Sequence, residues 1–379
     1  MKKIKMMVIL HSQMHLNAFR AYYSILEKKG VHAVGDIYVK GDPKNGYLIN
    51  EEDCLFAEGF FFHKLQNNKT WMERITFHLA EVIASAALIL SQSKGRTLLL
   101  LKPSNRPFST SLVYRSKKAH RAGNVRMVML EEGIGDYIRD EERWKIVGIE
   151  LMTGHKRILR YIKKNIIYYT ESQRVIQEFE KRGDTFFFHL LRKKNGRYIP
   201  NKRICKAFKE VYEERSKELG IRKNYHRVIL INSQPFMEEY GNDSDLICYS
   251  KIHTICKNNG IRLVVKPHPR EMNLDRYRSI GLDVDYSDHG ISQEILLAGA
   301  EEKPMMIIGF FSTTLITAKL YYSIPVMCLG RLDNFESIPE FGKDITQFIE
   351  TFSELLSVPE DYQEAECMIR DLACIKEGE

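Results

Sequence analysis

The sequence predicts an α/β protein made of two Rossmann-like domains in series. At 379 residues the chain is too long for one ordinary hydrophobic core. Short runs that are apolar on both faces alternate with segments of helical periodicity, which is typical of parallel sheets covered by helices on both sides. This alternation occurs twice, and a basic stretch with few strand signals separates the two series. The pattern therefore indicates two successive domains.

The first series begins with an apolar strand and a helix that Gly30 is placed to end. A second strand, a long helical stretch and two further apolar strands follow. The predicted strands cover residues 5–10, 31–39, 97–102 and 125–130, and the predicted helices cover residues 16–29 and 71–90.

The second series repeats the pattern after the basic stretch. Its predicted strands cover residues 227–232, 262–266, 305–308 and 326–329, its helices cover 245–258 and 313–322, and an acidic helical tail begins near 353. These elements divide the chain into an N-terminal Rossmann-like domain (1–190), a linker (191–224), a C-terminal Rossmann-like domain (225–350) and the helical tail (351–379).

Two α/β domains of this size in series are typical of a GT-B-like architecture, in which an interdomain cleft holds the ligands. In such folds ligands bind outside the carboxyl ends of parallel strands. The residues that directly follow each predicted strand are therefore the candidates for a site.

Composition excludes several classes of protein. No segment is long and apolar enough to cross a membrane, and the first ten residues are too weakly apolar for a signal peptide. The seven cysteines are scattered, without zinc-ligand spacing, so reduced thiols and a cytoplasmic location are expected. No clear aspartate cluster is present to hold a metal.

The net charge of +8 is concentrated in two basic clusters, at residues 156–164 and 192–203. A solvated basic face explains such clusters, and so does an anionic acceptor or an anionic membrane surface. Nucleic acid is not an expected partner, because no nucleic-acid motif accompanies the charge. Peripheral association with the inner face of the plasma membrane fits the same clusters.

Glu131, Glu132 and Gly133 follow the apolar strand at 125–130. Two adjacent carboxylates repel, and partial burial would raise the pKa of one of them. Such a carboxylate can take a proton from an attacking hydroxyl, and Gly133 would let a substrate approach. An acidic loop that caps a helix is the alternative interpretation.

The segment Lys266-Pro267-His268-Pro269-Arg270 follows the strand at 262–266. Two prolines around one histidine fix the backbone and aim the ring. A histidine that titrates near physiological pH can donate a proton to a departing phosphate, and the flanking cations would attract it. A rigid surface turn is the alternative.

Two positions at helix starts supply further candidates. Ser312 and Thr313 lie between a strand and a helix, where hydroxyls and backbone N–H groups either bind an anion or cap the helix. Glu294 begins a short helix, where a carboxylate either binds ribose hydroxyls or complements the helix dipole.

The order of these motifs resembles the bacterial sialyltransferases, in particular the polysialyltransferase and lipooligosaccharide sialyltransferase groups. Those families carry an acidic pair followed by glycine, then a His-Pro motif, then a Ser/Thr pair. The first strand-to-helix turn (residues 11–18) and the Gln-Pro turn (residues 229–235) are also similar, although Gln13 stands where the families have proline. The matching motifs here are Glu131-Glu132-Gly133, His268-Pro269 and Ser312-Thr313.

This resemblance implies an inverting transfer of sialic acid from CMP-sialic acid, with no cofactor and no metal. It implies Glu131 as the general base, with Glu132 as the second candidate, and His268 as the acid for the leaving CMP phosphate. Ser312 and Thr313 would hold the other phosphate oxygens, and Glu294 would bind ribose. Loss of Glu131 or His268 should then impair turnover more than folding. The remaining donor-side candidates are Asn232, Ser233, Gln234, Lys266, Pro267 and Pro269, and the acceptor-side candidates are Ser12, Gln13, Asn17 and Gly133.

Several alternatives stay open at this stage. A Kdo transferase, another CMP-sugar enzyme, can also use a His-Pro motif. A CDP-glycerol phosphotransferase shares the fold class but would not need Glu131, and a catalytically silent protein would bind the nucleotide sugar only. The expected acceptor is an anionic or lipid-linked glycan of the capsule or lipooligosaccharide type; the sequence fixes neither the acceptor nor the linkage.

Overall fold

A computed structural model gives the fold of the chain. It describes residues 2–10, 12–40, 49–65, 98–102, 125–131, 133–134, 137, 181, 185–241, 243–285, 290–338 and 341–377. The chain divides into two compact units, and the boundary between them lies between Leu190 and Leu191. We call these the N-terminal unit and the C-terminal unit.

The N-terminal unit contains a six-stranded parallel sheet with the strand order β3-β2-β1-β4-β5-β6. This is the order of a doubly wound sheet, whose direction of winding reverses between β1 and β4. Its strands are β1 (Lys2–Leu10), β2 (Val31–Lys40), β3 (Phe60–Leu65), β4 (Leu98–Lys102), β5 (Val125–Leu130) and β6 (Thr185–Phe188).

The centre of this sheet is buried, as its apolar strands predict. Met6 through Leu10 of β1 are at most 4% exposed, which requires cover on both faces. The helix α1 (Gln13–Glu27) follows β1 and buries Leu16 and Phe19. It begins earlier than the predicted residue 16 because the Ser12 hydroxyl caps it by accepting from the His15 N–H.

The C-terminal unit contains a five-stranded parallel sheet with the order β12-β11-β10-β14-β15. It is also doubly wound, and its winding reverses between β10 and β14. Its strands are β10 (Val228–Asn232), β11 (Arg262–Lys266), β12 (Asp283–Val284), β14 (Met306–Gly309) and β15 (Val326–Cys328).

Further α-helices and short strands complete the described fold. The other helices are α2 (Lys202–Glu218), α3 (Phe236–Tyr240), α4 (Ser244–Asn258), α5 (Asp275–Arg278), α6 (Gln293–Ala298), α7 (Thr313–Tyr322), α8 (Gly342–Phe352) and α9 (Tyr362–Glu377). The remaining strands are β7 (Leu191–Lys194), β8 (Arg197–Pro200), β9 (Lys223–Asn224) and β13 (Ala300–Glu302).

The predicted class, two α/β domains with Rossmann-like parallel sheets, is confirmed by these two topologies. The strand predicted at 125–130 and the helix predicted at 313–322 have the observed bounds, and the other predicted elements that the structure describes agree within a few residues at most ends. The helix predicted at 71–90 lies outside the described residues.

The predicted linker at 191–224 is instead a folded part of the C-terminal unit. Its β7 and β8 form an antiparallel hairpin, and β9 pairs with β13. The helix α2 buries Phe208, Val211 and Tyr212, and the Phe208 ring stacks on Tyr321 of α7. The sequence indicated some helix in this stretch, but the high density of charge concealed that the helix packs against the unit, since only its buried side carries apolar residues.

Two further sequence-based expectations concern the whole chain. The structure describes all seven cysteines; none of them forms a disulfide, and five are buried. Of the helices that the structure describes, none combines the length and the apolar character needed to cross a bilayer.

Candidate active site

In the C-terminal unit, the sheet reverses its winding where β10 and β14 end side by side. There the Asn232 side-chain amide donates to the Ser312 hydroxyl oxygen at 2.6 Å. Ser312 is also the N-cap of α7, because its hydroxyl accepts from the Thr314 N–H at 3.2 Å. We call Asn232, Gly309 and Ser312 the switch-point cluster. Its position is the one where open α/β sheets bind ligands.

Gly309 makes this close approach possible. A β-carbon at Gly309 would lie 2.8 Å from the carbonyl oxygen of Asn232, which is closer than such atoms pack. Thr313, the first residue of α7, is half-buried beside the cluster. The positive end of the α7 dipole and its first N–H groups therefore meet two hydroxyl side chains, an arrangement that suits an anionic ligand.

Next to the cluster, β11 ends in the His-Pro turn, which we define as Lys266 to Glu271. The His268 carbonyl accepts from the Glu271 N–H at 2.9 Å, which closes a tight turn over the two intervening residues. The Nδ1 atom of His268 accepts from the Arg270 N–H at 3.2 Å. The neutral imidazole therefore carries its proton on Nε2, and the ring is half-buried.

Glu271 holds this turn, and sequence reasoning missed it. Its carboxylate is 1% exposed and accepts from the His268 N–H at 2.6 Å and from the hydroxyls of Ser233 and Tyr277. Burial raises the pKa of Glu271 and the hydrogen bonds to its carboxylate lower it. The available signal was a carboxylate three residues after the histidine, the spacing that closes a turn.

Ser233 joins the His-Pro turn to β10. Its hydroxyl, besides its contact with Glu271, lies 2.9 Å from the His268 N–H and 3.3 Å from the Lys266 carbonyl. Gln234 follows and is half-buried, with its carbonyl accepting from the Phe236 N–H. The structure thus brings Asn232, Ser233 and the His-Pro turn together at the ends of adjacent strands, as the sequence predicted.

Lys266, which was predicted to supply positive charge for a phosphate, is enclosed within the turn. It is 4% exposed, and its ammonium group donates to the Pro267 carbonyl at 3.1 Å. Pro267 is buried and Pro269 is half-buried. Lys266 therefore stabilises the turn in this structure.

Glu294 lies at the start of α6 and is 7% exposed. Its Oε1 atom accepts from the hydroxyls of Thr314 at 3.2 Å and Thr317 at 2.7 Å, both on α7. The carboxylate is thus tied to the helix that Ser312 caps. This position next to the switch-point cluster is compatible with a contact to a bound ligand.

In the N-terminal unit, Glu131 follows β5 and is fully buried. Its Oε1 accepts from the Gly133 N–H at 2.9 Å, and its Oε2 accepts from the Leu190 N–H at 2.7 Å and from the Tyr137 hydroxyl. The sequence predicted a partly buried carboxylate at the end of this strand, and in the structure the carboxylate is fully buried. Glu131 also connects the ends of β5 and β6, so it contributes to folding. The companion Glu132 lies outside the described residues.

Tyr137 and His189 accompany Glu131 and were not predicted. The two rings meet edge to face with centroids 5.9 Å apart. Burial lowers the pKa of His189 to about 4, so the imidazole is neutral at physiological pH. Gly133 has a φ angle of 106°, which favours glycine at this loop.

The other acceptor-side candidates lie at the start of α1. Ser12 caps the helix, Gln13 is its first residue and is half-buried, and Asn17 is 5% exposed. They follow β1, whereas Glu131 follows β5, and β4 lies between these strands. Glu131 and His268 belong to different units.

Of the two basic clusters, the one at 156–164 lies outside the described residues. The other includes the exposed β7–β8 hairpin, where Arg192, Lys193, Lys194 and Arg197 point to solvent. Within the described ranges, no group of three or more His, Cys, Asp or Glu side chains is placed to hold a metal ion.

Comparison with known proteins identifies the family of this chain through one family profile. The profile of the alpha-2,8-polysialyltransferase (POLYST) family matches residues 90–331, which is more than half of the chain. The matched span includes the Glu131 loop, the His-Pro turn and Ser312-Thr313. A search of curated protein sequences finds no significant match.

Solved structures show distant likenesses. A putative UDP-N-acetylglucosamine 2-epimerase from Listeria monocytogenes has 11% identity and a TM-score of 0.49, covering 97% of this chain and 91% of that one. The MurG structure from Acinetobacter baumannii has 8% identity and a TM-score of 0.44, covering 100% and 91%. Likenesses at this level do not transfer an activity or a substrate.

Proposed function

The chain belongs to the alpha-2,8-polysialyltransferase family and is a glycosyltransferase; from this premise we propose that it transfers sialic acid from CMP-sialic acid to a hydroxyl group of a cell-surface glycan, with inversion at the anomeric carbon. The observation that carries the donor side is the cluster of Asn232, Ser233, His268 and Ser312 at the carboxyl ends of adjacent strands.

The C-terminal unit would bind the CMP moiety. The phosphate lies at the start of α7, where Ser312 and Thr313 offer hydroxyls next to the helix N-terminus. Asn232 and Gln234 contact the nucleotide, and Glu294 contacts the ribose hydroxyls. The same donor site would suit a Kdo donor, which a donor panel distinguishes.

His268 would assist departure of CMP. Since Nδ1 accepts from the Arg270 N–H, the mobile proton lies on Nε2. As the bond between the anomeric carbon and the phosphate oxygen breaks, Nε2–H donates a hydrogen bond to that oxygen, and the proton stays on the neutral ring. One such hydrogen bond to a developing negative charge is worth about 10²–10³-fold in rate.

Glu131 would act as the general base for the acceptor hydroxyl, with Glu132 as the second candidate. The acceptor oxygen attacks the anomeric carbon while its proton passes to the carboxylate. Because Glu131 is fully buried in this structure, its use as a base requires that acceptor binding uncovers the carboxylate. The hydrogen bonds from Gly133 and Leu190 would hold its orientation.

No metal or cofactor enters this scheme, since the leaving group is already a phosphate of low basicity. The acceptor would be an anionic or lipid-linked glycan, and the exposed basic hairpin offers it long-range attraction. The same charge would hold the protein at the inner face of the plasma membrane.

The test is a transfer assay with CMP-sialic acid, CMP-Kdo and CDP-glycerol against labelled glycan acceptors. Transfer from CMP-sialic acid, lost in Glu131→Gln and His268→Ala, supports the proposal. Transfer from CDP-glycerol that survives Glu131→Gln would show a phosphotransferase instead. CMP binding without transfer to any acceptor would show a binding protein.

A further inference from the structure

Glu271 is the buried carboxylate that closes the His-Pro turn. We infer that Glu271 is a positioning residue for His268: its carboxylate fixes the backbone of the turn and thereby aims the imidazole at the leaving group. The inference rests on the proposed role of His268.

The first argument is the geometry between these two residues. The Glu271 N–H donates to the His268 carbonyl at 2.9 Å, and the Glu271 carboxylate accepts from the His268 N–H at 2.6 Å. The two hydrogen bonds run in opposite directions, so they hold both backbone groups of His268. Pro269 fixes the φ angle between them, and the Arg270 N–H fixes the ring through Nδ1.

The second argument is how the carboxylate is anchored outside the turn. The Ser233 hydroxyl donates from the end of β10, and the Tyr277 hydroxyl donates from α5. The turn is thus tied both to the central strand of the sheet and to a helix. His268 cannot shift relative to the switch-point cluster without breaking one of these contacts.

The third argument concerns the free-energy cost of burying the Glu271 carboxylate. A carboxylate that is 1% exposed is tolerated only when hydrogen-bond donors surround it. A glutamine of the same shape presents an NH₂ group in place of one oxygen. Glutamine therefore keeps the side-chain volume but removes one acceptor oxygen from the surrounding donors, which makes it the most specific substitution.

The experiment is a double-mutant cycle that combines Glu271→Gln with His268→Ala. A residue that acts through His268 has no effect once the imidazole is gone, whereas a purely structural residue costs the same in both backgrounds. Asp245→Asn is the matched control. Asp245 is likewise a buried carboxylate of the C-terminal unit, but it pairs with Arg276.

We expect Glu271→Gln to lower kcat by about 10–100-fold in the otherwise native enzyme. We expect less than about a twofold further loss in the His268→Ala background. Asp245→Asn keeps the native kcat at a temperature where it is folded. Equal losses in both backgrounds, or a native kcat for Glu271→Gln, would overturn the inference.

Failure of the proposed function has a different signature, because His268→Ala alone would then retain native kcat. If His268→Ala is too slow to follow, the same cycle is measured by CMP affinity in calorimetry, with the same expected non-additivity. If Glu271→Gln does not fold, Ser233→Ala and Tyr277→Phe each remove one contact to the carboxylate and are taken through the same cycle.

Discussion

Replacing Glu131 by glutamine tests whether this residue is both a structural link and the general base. The native carboxylate accepts from two backbone N–H groups, of Gly133 and Leu190, and from the Tyr137 hydroxyl. In Glu131→Gln the NH₂ group replaces one oxygen, so at least one of these N–H donors loses its acceptor inside a fully buried site. Tyr137 can adapt, because a hydroxyl also accepts.

The magnitude follows from the number of donors left unpaired. One buried unsatisfied donor costs about 1–3 kcal/mol. For a unit of this size each kcal/mol shifts the melting temperature by about 2–4 °C. Glu131→Gln should therefore melt about 2–12 °C lower than the native protein. The structure thus adds a measurable cost in folding to the sequence-based expectation that its loss affects turnover more than folding.

Differential scanning calorimetry measures the change in melting temperature. The rate of sialyl transfer is measured about 15–20 °C below the lowered transition, where the variant is folded. Loss of the base should reduce the rate by about 10²–10⁴-fold where the fold is intact. Tyr137→Phe is the control, since it removes one hydroxyl and keeps the carboxylate. A native melting temperature for Glu131→Gln would refute the structural role, and a native transfer rate would refute the catalytic one.

Three further outcomes are expected. Burial depresses the pKa of His189 to about 4, below the unfolded value of about 6.5, so its stabilising contribution is present above pH 6.5 and is lost as the pH falls toward 4. In urea unfolding, the native protein should therefore lose about 2–3 kcal/mol more stability than His189→Gln between pH 7 and 4.5. Equal losses in the two proteins would contradict this assignment. Ser312→Ala removes the N-cap of α7 and the acceptor of Asn232, so it should cost about 0.5–2 kcal/mol and raise the KM for the donor; an unchanged KM, measured by initial rates, would exclude Ser312 from donor binding. Charge reversal at Lys193 and Lys194 on the exposed hairpin should slow transfer at low salt and have little effect at high salt, and a rate unchanged at low salt would show that the hairpin does not attract the acceptor.

The sequence alone predicted much of the secondary structure. The segments 125–130 and 262–266 are strands with the predicted bounds, because each contains a short run of apolar residues that is largely buried in the sheet. The helix α2 was missed as a packed element, because its many charges outweigh the apolar stripe that faces the unit. The average hydrophobicity of a segment is easier to read from its sequence than the hydrophobicity of one face of a helix.

The residues of the candidate site were likewise predicted only in part from the sequence. The strand-end rule selected Asn232, Ser233, His268 and Ser312 from their place in the chain, and the structure brings Asn232 into contact with Ser312 and Ser233 into contact with His268. The rule could not reveal Glu271, since its importance lies in three donors that arrive from β10, the His-Pro turn and α5.

What the sequence by itself determined was the fold class, the family and the set of strand ends that carry polar residues, because these depend on local composition and on the order of motifs. What only the tertiary structure decided was the environment of each side chain. Glu131 is enclosed by donors from Gly133, Tyr137 and Leu190, the last of which is 59 residues away along the chain. Hydrogen bonds between residues far apart in sequence leave no periodic pattern, so burial and donor sets became visible only once the strands were placed side by side.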